Sequence, residues 1–193
     1  MIYREYAKRA VDCVVAAVGL IALSVLIALA MVAICLNSSG PVFFVQRRVG
    51  RFGKPFTIYK LRTMTVDPER QVRQTETSDP EVFFVGKILR RLKIDELPQL
   101  WNILNGDMSL VGPRPCLEQT YSEMPDWARQ RFAVRPGITG LAQVHGNVAL
   151  SWEERWAYDV KYSEKVSWLL DFAIICKTAS VVIFGEERYK KSL

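Results

Sequence analysis

The chain has 193 residues, of which 26 are Lys or Arg and 20 are Asp or Glu, so its formal net charge at pH 7 is +6. Hydrophobic residues make up 50% and charged residues 24%, which excludes a wholly disordered chain, a collagen and a polytopic channel. The length suits one domain with at most a small appendage. The basic excess favours a partner that carries phosphates: a nucleic acid, a nucleotide or an anionic membrane surface.

A run of 24 residues, Cys13 to Leu36, carries no charge. At about 1.5 Å per residue, a helix of this length could cross a hydrocarbon core of about 30 Å. Positive charge prefers the cytoplasmic side of a membrane, and basic residues flank the run at both ends. Charge alone leaves two interpretations open: a plain span, and a re-entrant hairpin that bends near Ser24 and leaves by the face it entered. The flanking residues are Arg4, Lys8, Arg9, Arg47, Arg48, Arg51 and Lys54.

The rest of the chain predicts short strands, loops and helices. Two strands are expected over 42–46 and 56–62, and polar residues with two prolines predict a loop over 66–81. Apolar spacing predicts the helices, and clusters of Gly and Pro predict further loops. The first is a basic amphipathic helix over 82–92, which is either a solvated basic face or an interfacial helix at a membrane. In chain order there follow a helix over 95–105, loops over 106–115 and 135–146, a helix over 151–165 opened by a Ser151–Glu154 capping box, and an apolar helix over 166–184 that is packed or lies at a surface.

The adjacent carboxyl groups of Asp95 and Glu96 form the first candidate site. On a helix they point about 100° apart, so one could attack a substrate while the other holds a metal. A carboxylate is ionised at neutral pH and needs no base to become a nucleophile. The competing interpretation makes Asp95 the N-cap of the helix over 95–105. The single His145 argues against a zinc site and favours a hard cation bound by carboxylates.

Basic residues in rigid loops and on one strand are candidates for phosphate binding. Two prolines fix the backbone around Arg114, and a Pro-Gly pair follows Arg135, which suits preorganised clamps. The competing interpretations are rigid turns with exposed arginines and, for the strand, an edge protected by charge. The candidates are Lys60, Arg62, Arg90, Arg114, Arg135 and Gln143.

Taken in order, several segments resemble the bacterial sugar transferases, the small monotopic phosphoglycosyl transferases. The resemblance covers about Tyr3 to Phe184. It implies an α+β, mostly helical fold, in which 1–38 form a re-entrant membrane helix and 39–193 a compact cytoplasmic, membrane-associated catalytic domain with a short β-hairpin and interfacial amphipathic helices. The segments are the apolar N-terminus, Tyr59-Lys-Leu-Arg-Thr-Met64, Asp95-Glu-Leu-Pro-Gln-Leu100, Asn105 to Pro115, Arg135 to Val144 and Trp152 to Tyr162.

The resemblance implies an enzyme at the cytoplasmic face of a bacterial inner membrane. It would move a sugar 1-phosphate from a UDP-sugar to undecaprenyl phosphate, release UMP and start a surface glycan. Asp95 would be the nucleophile and Glu96 a ligand of Mg²⁺. Membrane lipids and glycosyltransferases that use the product are further implied partners. Residues implied at the phosphates and nucleotide are Lys60, Arg90, Arg114, Arg135 and Gln143.

Two positions depart from the family pattern. Ser24-Val25 stands where Ser-Pro is usual at the bend, so the backbone break is less strongly enforced. His145 stands where Asn is frequent, so sugar or nucleotide contacts there can differ. A non-enzymatic, membrane-anchored module that binds anionic lipid is the alternative function. A nucleic-acid binder is disfavoured, because the basic and aromatic residues form no known readout motif.

Overall fold

The computed structural model describes residues 3–66 and 79–184. Helices dominate these residues and two short sheets complete the fold, which confirms the mostly helical α+β class. Most of the predicted loop over 66–81 lies outside the described residues. The helices are α1 Lys8–Ala22, α2 Ser24–Asn37, α3 Phe84–Arg91, α4 Gln99–Asn105, α5 Glu118–Ser122, α6 Trp152–Glu164 and α7 Trp168–Phe184; the strands are β1 Phe43–Val49, β2 Pro55–Leu61, β3 Ser109–Val111 and β4 Gly137–Thr139.

Helices α1 and α2 form one bent pair. The break lies at Leu23, beside the predicted Ser24, and the two axes differ in direction by 58°. The Ser24 hydroxyl donates to the Ile21 carbonyl at 2.8 Å, so a side chain satisfies a carbonyl near the break without a proline. Among the described residues, only the bent pair taken together has the length and hydropathy to cross a bilayer; no one helix does.

The bent pair packs on the rest of the fold along one face only. Ala16 of α1 is buried against Leu100 and Ile103 of α4, and Ile34 of α2 is buried against Leu61 and Leu89. The opposite face is apolar and exposed, which leaves a large apolar patch without a protein partner in the described chain. Its exposed side chains are Val11, Val14, Val15, Val18, Ile21, Val25, Leu26, Leu29, Val32 and Leu36.

Strands β1 and β2 form the predicted hairpin. They pair antiparallel from Phe43 opposite Leu61 to Val49 opposite Pro55, so β1 runs further toward the turn than predicted. Ile58 and Leu61 are three residues apart on β2 and so lie on opposite faces, where each is buried in a different cluster: Ile58 with α1 and α4, and Leu61 with α2 and α3.

Strands β3 and β4 form a small parallel sheet where loops were predicted over 106–115 and 135–146. Ser109 pairs with Gly137, and Val111 with Thr139. A Cβ on Gly112 or on Gly137 would collide with the other segment's backbone, so glycine permits this close approach. The loop predictions are therefore wrong at these strands, and the sheet places the Arg114 loop beside the Arg135 segment.

Helices α6 and α7 complete the fold. The Ser151–Glu154 capping box is confirmed: Glu154 N donates to Ser151 Oγ at 3.2 Å, and Ser151 N donates to Glu154 Oε2 at 2.7 Å. Asp171, buried at the start of α7, accepts from Lys8 Nζ at 2.6 Å and from the Tyr162 hydroxyl at 2.7 Å. This contact ties α1, α6 and α7 together. The exposed apolar residues of α7 include Trp168, Leu169, Phe172, Ile175, Ile183 and Phe184.

Candidate active site

The predicted helix over 95–105 is split, and Asp95 lies before its regular part. Ile94–Glu96 form a 3-10 turn, which the chain enters through Lys93 in the left-handed conformation at φ 57°. Helix α4 starts only at Gln99, with Pro98 at its N-cap position. Asp95 caps neither element, and its Oδ1 atom is buried without a hydrogen-bond partner. The N-cap interpretation of Asp95 is therefore wrong.

Glu96 is held by two cations from distant parts of the chain. Lys60 Nζ, on β2, donates to Glu96 Oε1 at 2.7 Å. Arg114 donates from Nη2 to the same oxygen at 2.6 Å and more weakly from Nη1 to Oε2 at 3.5 Å. The Glu96 and Lys60 side chains are 10% and 18% exposed, so water screens this cluster only weakly.

The two adjacent carboxyl groups differ in their electrostatics. Burial raises the pKa of Asp95, the neighbouring Glu96 raises it further, and Lys60 opposes them. Burial also acts to raise the pKa of Glu96, but Arg114 and Lys60 outweigh it and hold that pKa well below its usual range. Glu96 is thus a fixed anion between two cations. Asp95 keeps an oxygen with unused lone pairs, which suits a group that must attack.

Arg48 belongs to this cluster, although the sequence identified it only as flanking charge. Burial and the nearby Arg114 lower the pKa of Arg48 to about 10, while Glu96 opposes them. Arg48 donates to Gln46 at 2.6 Å, and its Nε atom is buried without a partner. Its place on β1 depends on the hairpin register, which local sequence does not reveal.

Arg62 is directed away from Glu96 and fastens the end of α2. Its Nε donates to the Pro41 carbonyl at 2.6 Å, Nη2 donates to the Ser38 carbonyl at 2.7 Å, and Nη1 donates to the Ser38 hydroxyl at 2.9 Å. The residue is only 4% exposed. These contacts give Arg62 a structural role, and its predicted phosphate contact stays a prediction.

We expect Arg62→Met to destabilise the fold without a specific kinetic defect. The substitution removes the three part-buried hydrogen bonds that Arg62 donates to Ser38 and Pro41, which costs about 1–3 kcal/mol. Thermal unfolding measures this loss. The control is Arg47→Met, because the Arg47 side chain is 70% exposed. A normal unfolding temperature combined with a raised KM for the phosphate-bearing substrate would restore the substrate-binding interpretation.

The other predicted residues donate hydrogen bonds to parts of the chain outside the acidic pair. Arg90 donates from Nε to the Thr63 hydroxyl at 2.9 Å. Arg135 donates from Nε to the Gly106 carbonyl at 2.8 Å, at the far end of α4 from Asp95. Gln143 donates to the Ile138 carbonyl at 2.9 Å, and its Oε1 atom is buried without a partner. Of the six basic or polar candidates, Lys60 and Arg114 are thus the two that these contacts bring to Glu96.

Glu96 fits a magnesium ion that shares its coordination with a substrate. Within 3–66 and 79–184, no three His, Cys, Asp or Glu side chains cluster closely enough to enclose a metal. Magnesium is commonly bound by one or two carboxylates together with substrate phosphates and water. Glu96 Oε2 has only the long contact to Arg114, so it keeps a lone pair for a cation, while Asp95 Oδ1 beside it stays available for attack.

Comparisons with known proteins show the family to which the chain belongs. The family model described as bacterial sugar transferase matches residues 3–185. The chain is 42% identical over 186 residues to the uncharacterized sugar transferase EpsL of Bacillus subtilis, which covers 93% of this chain and 88% of that protein. It is 42% identical over 193 residues to the UDP-glucose:undecaprenyl-phosphate glucose-1-phosphate transferase of Caulobacter vibrioides, covering 94% and 72%. It is also 40% identical over 188 residues to the UDP-N-acetylgalactosamine-undecaprenyl-phosphate N-acetylgalactosaminephosphotransferase of Aeromonas hydrophila, covering 93% and 44%. The chain therefore belongs to the bacterial sugar transferase family and is a transferase of phosphorus-containing groups.

Proposed function

We propose that this enzyme moves a sugar 1-phosphate from a UDP-sugar to undecaprenyl phosphate and releases UMP. The names of the relatives from Caulobacter vibrioides and Aeromonas hydrophila support both substrates. The structural observation that carries the proposal is the Asp95 Oδ1 atom, which is buried without a hydrogen-bond partner. It lies on the residue beside Glu96, and Lys60 and Arg114 both contact Glu96. The product is the first membrane-bound intermediate of a surface glycan, which downstream glycosyltransferases then extend.

In the first step Asp95 Oδ1 attacks the phosphorus that bears the sugar. A bond forms between the carboxylate oxygen and that phosphorus, and the bond to the bridging oxygen breaks, so the electron pair leaves with UMP. Arg114 and Lys60 lie within contact distance of Glu96, and their positive charge reduces the repulsion between the carboxylate and the phosphates. Mg²⁺, bound through Glu96, would neutralise further charge on the diphosphate.

In the second step a phosphate oxygen of undecaprenyl phosphate attacks the same phosphorus. The bond to Asp95 breaks and its carboxylate is regenerated, so the enzyme finishes unchanged. Transfer through the carboxylate allows a soluble and a lipid substrate to use one site in turn. Asp95 and Glu96 are only 7% and 8% exposed, so little space surrounds them. Such a site suits a mechanism in which the two substrates bind one after the other.

We propose that α1 and α2 enter the cytoplasmic leaflet of the inner membrane as a re-entrant hairpin. With a 58° bend and both ends at one face, a 15-residue helix would reach a depth of about 11 Å. That depth stays within one leaflet, since half of the hydrocarbon core is about 15 Å. The exposed apolar face of the pair would contact lipid, and α3 and α7 would lie at the interface.

Cysteine labelling in intact spheroplasts should place both ends of the hairpin on the cytoplasmic side. In a variant without its native cysteines, we expect Ile2→Cys to resist a membrane-impermeant maleimide until the cells are permeabilised. Lys54→Cys, an exposed site at the β-hairpin turn, is the matched cytoplasmic control. Labelling of Ile2→Cys from outside, with Lys54→Cys protected, would demonstrate a plain span.

A UMP-release assay with a panel of UDP-sugars and undecaprenyl phosphate tests the proposed function. We expect UMP to appear with at least one UDP-sugar, together with a lipid-linked sugar diphosphate. A protein that binds anionic vesicles but releases no UMP with any of them would be a membrane-anchored binding module instead. Asp95→Asn separates the two functions, because lipid binding does not require that carboxylate.

A further inference from the structure

The loop that carries Arg114 is fastened through its carbonyl oxygens. Prolines on both sides of Arg114 remove two of the loop's N–H donors. The Arg114 carbonyl accepts a hydrogen bond from Nη2 of Arg131 at 2.6 Å. Backbone amides hold neighbouring carbonyls: Pro113 O accepts from Gly137 N at 3.0 Å, and Cys116 O accepts from Val49 N at 2.9 Å. Among these three anchors, Arg131 is the one that acts through a side chain.

Arg131 forms an ion pair with Asp159 of α6. Its Nη2 atom lies 2.7 Å from Asp159 Oδ2, and the two side chains are 4% and 5% exposed. Burial raises the pKa of Asp159, and the nearby Arg131 opposes that effect. A buried ion pair contributes little net stability once the lost hydration is counted, so stability alone is a weak account of why the pair is there.

Three contacts connect α6 to Glu96, the residue beside the candidate nucleophile Asp95. Asp159 lies 2.7 Å from Arg131, Arg131 lies 2.6 Å from the Arg114 carbonyl, and the Arg114 guanidinium lies 2.6 Å from Glu96. The Arg114 side chain is 44% exposed, so the surrounding protein restricts it less than it would a buried side chain. The direction of the Arg114 guanidinium therefore depends on where its backbone is held.

We propose that Arg131, held by Asp159, is a positioning residue for sugar-phosphate transfer. It fixes the backbone of Arg114 so that the guanidinium meets Glu96 and the reacting phosphates. This inference rests on the proposed function. A displacement of about 1 Å at a group that stabilises the transition state lowers the rate by about 100-fold, so a small movement of the Arg114 loop would suffice.

The decisive variant removes both buried charges at once. Replacing a whole buried ion pair by apolar side chains usually preserves a fold, whereas removing one partner strands a charge. We expect Arg131→Met/Asp159→Leu to keep its unfolding temperature but to lower kcat for UMP release by about 100-fold, with a much smaller change in KM. The matched control is Arg129→Met, in the same 3-10 segment Asp126–Ala133. The Arg129 side chain is 43% exposed, makes a surface ion pair with Asp126 and lies over the Tyr121 ring.

Rescue and a measurement independent of activity complete the test. Arg131→Lys keeps a donor and the charge opposite Asp159, so its kcat should be close to that of the wild type. This variant should also fold if the double variant fails to fold. In ¹⁵N NMR of the full chain in nanodiscs, the Arg114 Nε–H group, assigned through Arg114→Lys, should lose order in the double variant. Wild-type kcat and an ordered Arg114 signal in that variant would overturn the inference. If the wild type releases no UMP from any UDP-sugar, the proposed function fails, and the Arg114 signal alone then decides on the positioning role.

Discussion

Asp95→Asn should abolish turnover while leaving the protein folded. The substitution keeps the shape of the side chain, and Asp95 Oδ1 makes no hydrogen bond that would be lost. Because burial and the neighbouring Glu96 raise the pKa of Asp95, ionising this carboxyl group costs more free energy in the folded protein than in the unfolded chain. Removing that charge should therefore leave the unfolding temperature equal to or above that of the wild type. UMP release and thermal unfolding, measured on one preparation, check both expectations.

The control for Asp95→Asn is Asp126→Asn. The Asp126 side chain is 96% exposed and pairs only with Arg129, so both activity and stability should stay normal. Substantial UMP release by Asp95→Asn would contradict the role of nucleophile. A large fall in its unfolding temperature would instead indicate that the carboxylate supports the fold.

Glu96→Gln should lower the rate and weaken the magnesium dependence together. The neutral amide no longer balances Lys60 and Arg114, which now meet at a buried, uncharged group. We expect kcat to fall by about 100-fold or more and the magnesium concentration for half-maximal rate to rise. Zinc at low concentration should not replace magnesium in the wild type. Titration of the rate with MgCl₂ measures both effects.

Glu118→Gln is the control for the loss of a glutamate charge. Its side chain is 58% exposed and makes a surface contact with Arg47, so its magnesium titration should match that of the wild type. Full wild-type activity in excess chelator would refute the magnesium requirement. An unchanged magnesium titration in Glu96→Gln would show that a residue other than Glu96 binds the metal.

Features encoded by neighbouring residues could be predicted from the sequence. The Ser151–Glu154 capping box needs only residues three apart, and it forms as expected. The bend lies beside Ser24, where the re-entrant interpretation of an apolar run with basic residues at both ends placed it. The acidic pair could be identified because Asp95 and Glu96 are adjacent in the sequence. The sequence did not show that the turn carrying them is separate from α4.

Features that depend on distant pairing could not be predicted in this way. The β3–β4 sheet pairs Ser109 with Gly137 through two strands too short to show a period. Arg48 reaches the site only through the hairpin register. Arg62 has a long cationic side chain, and the acceptors it meets depend on how the chain packs. Its charge and its position in the sequence therefore did not show that it donates to the Ser38 carbonyl at the end of α2.

The most direct test of the central claim is to incubate the wild type with a UDP-sugar labelled in the sugar and no lipid acceptor. Attack by Asp95 predicts release of UMP in amounts no greater than the enzyme, together with labelled sugar phosphate on the protein. Hydroxylamine should remove that label, mass spectrometry should locate it on Asp95, and undecaprenyl phosphate should then take it up. UMP release and sugar transfer only when both substrates are present, with no label on the protein, would contradict the claim.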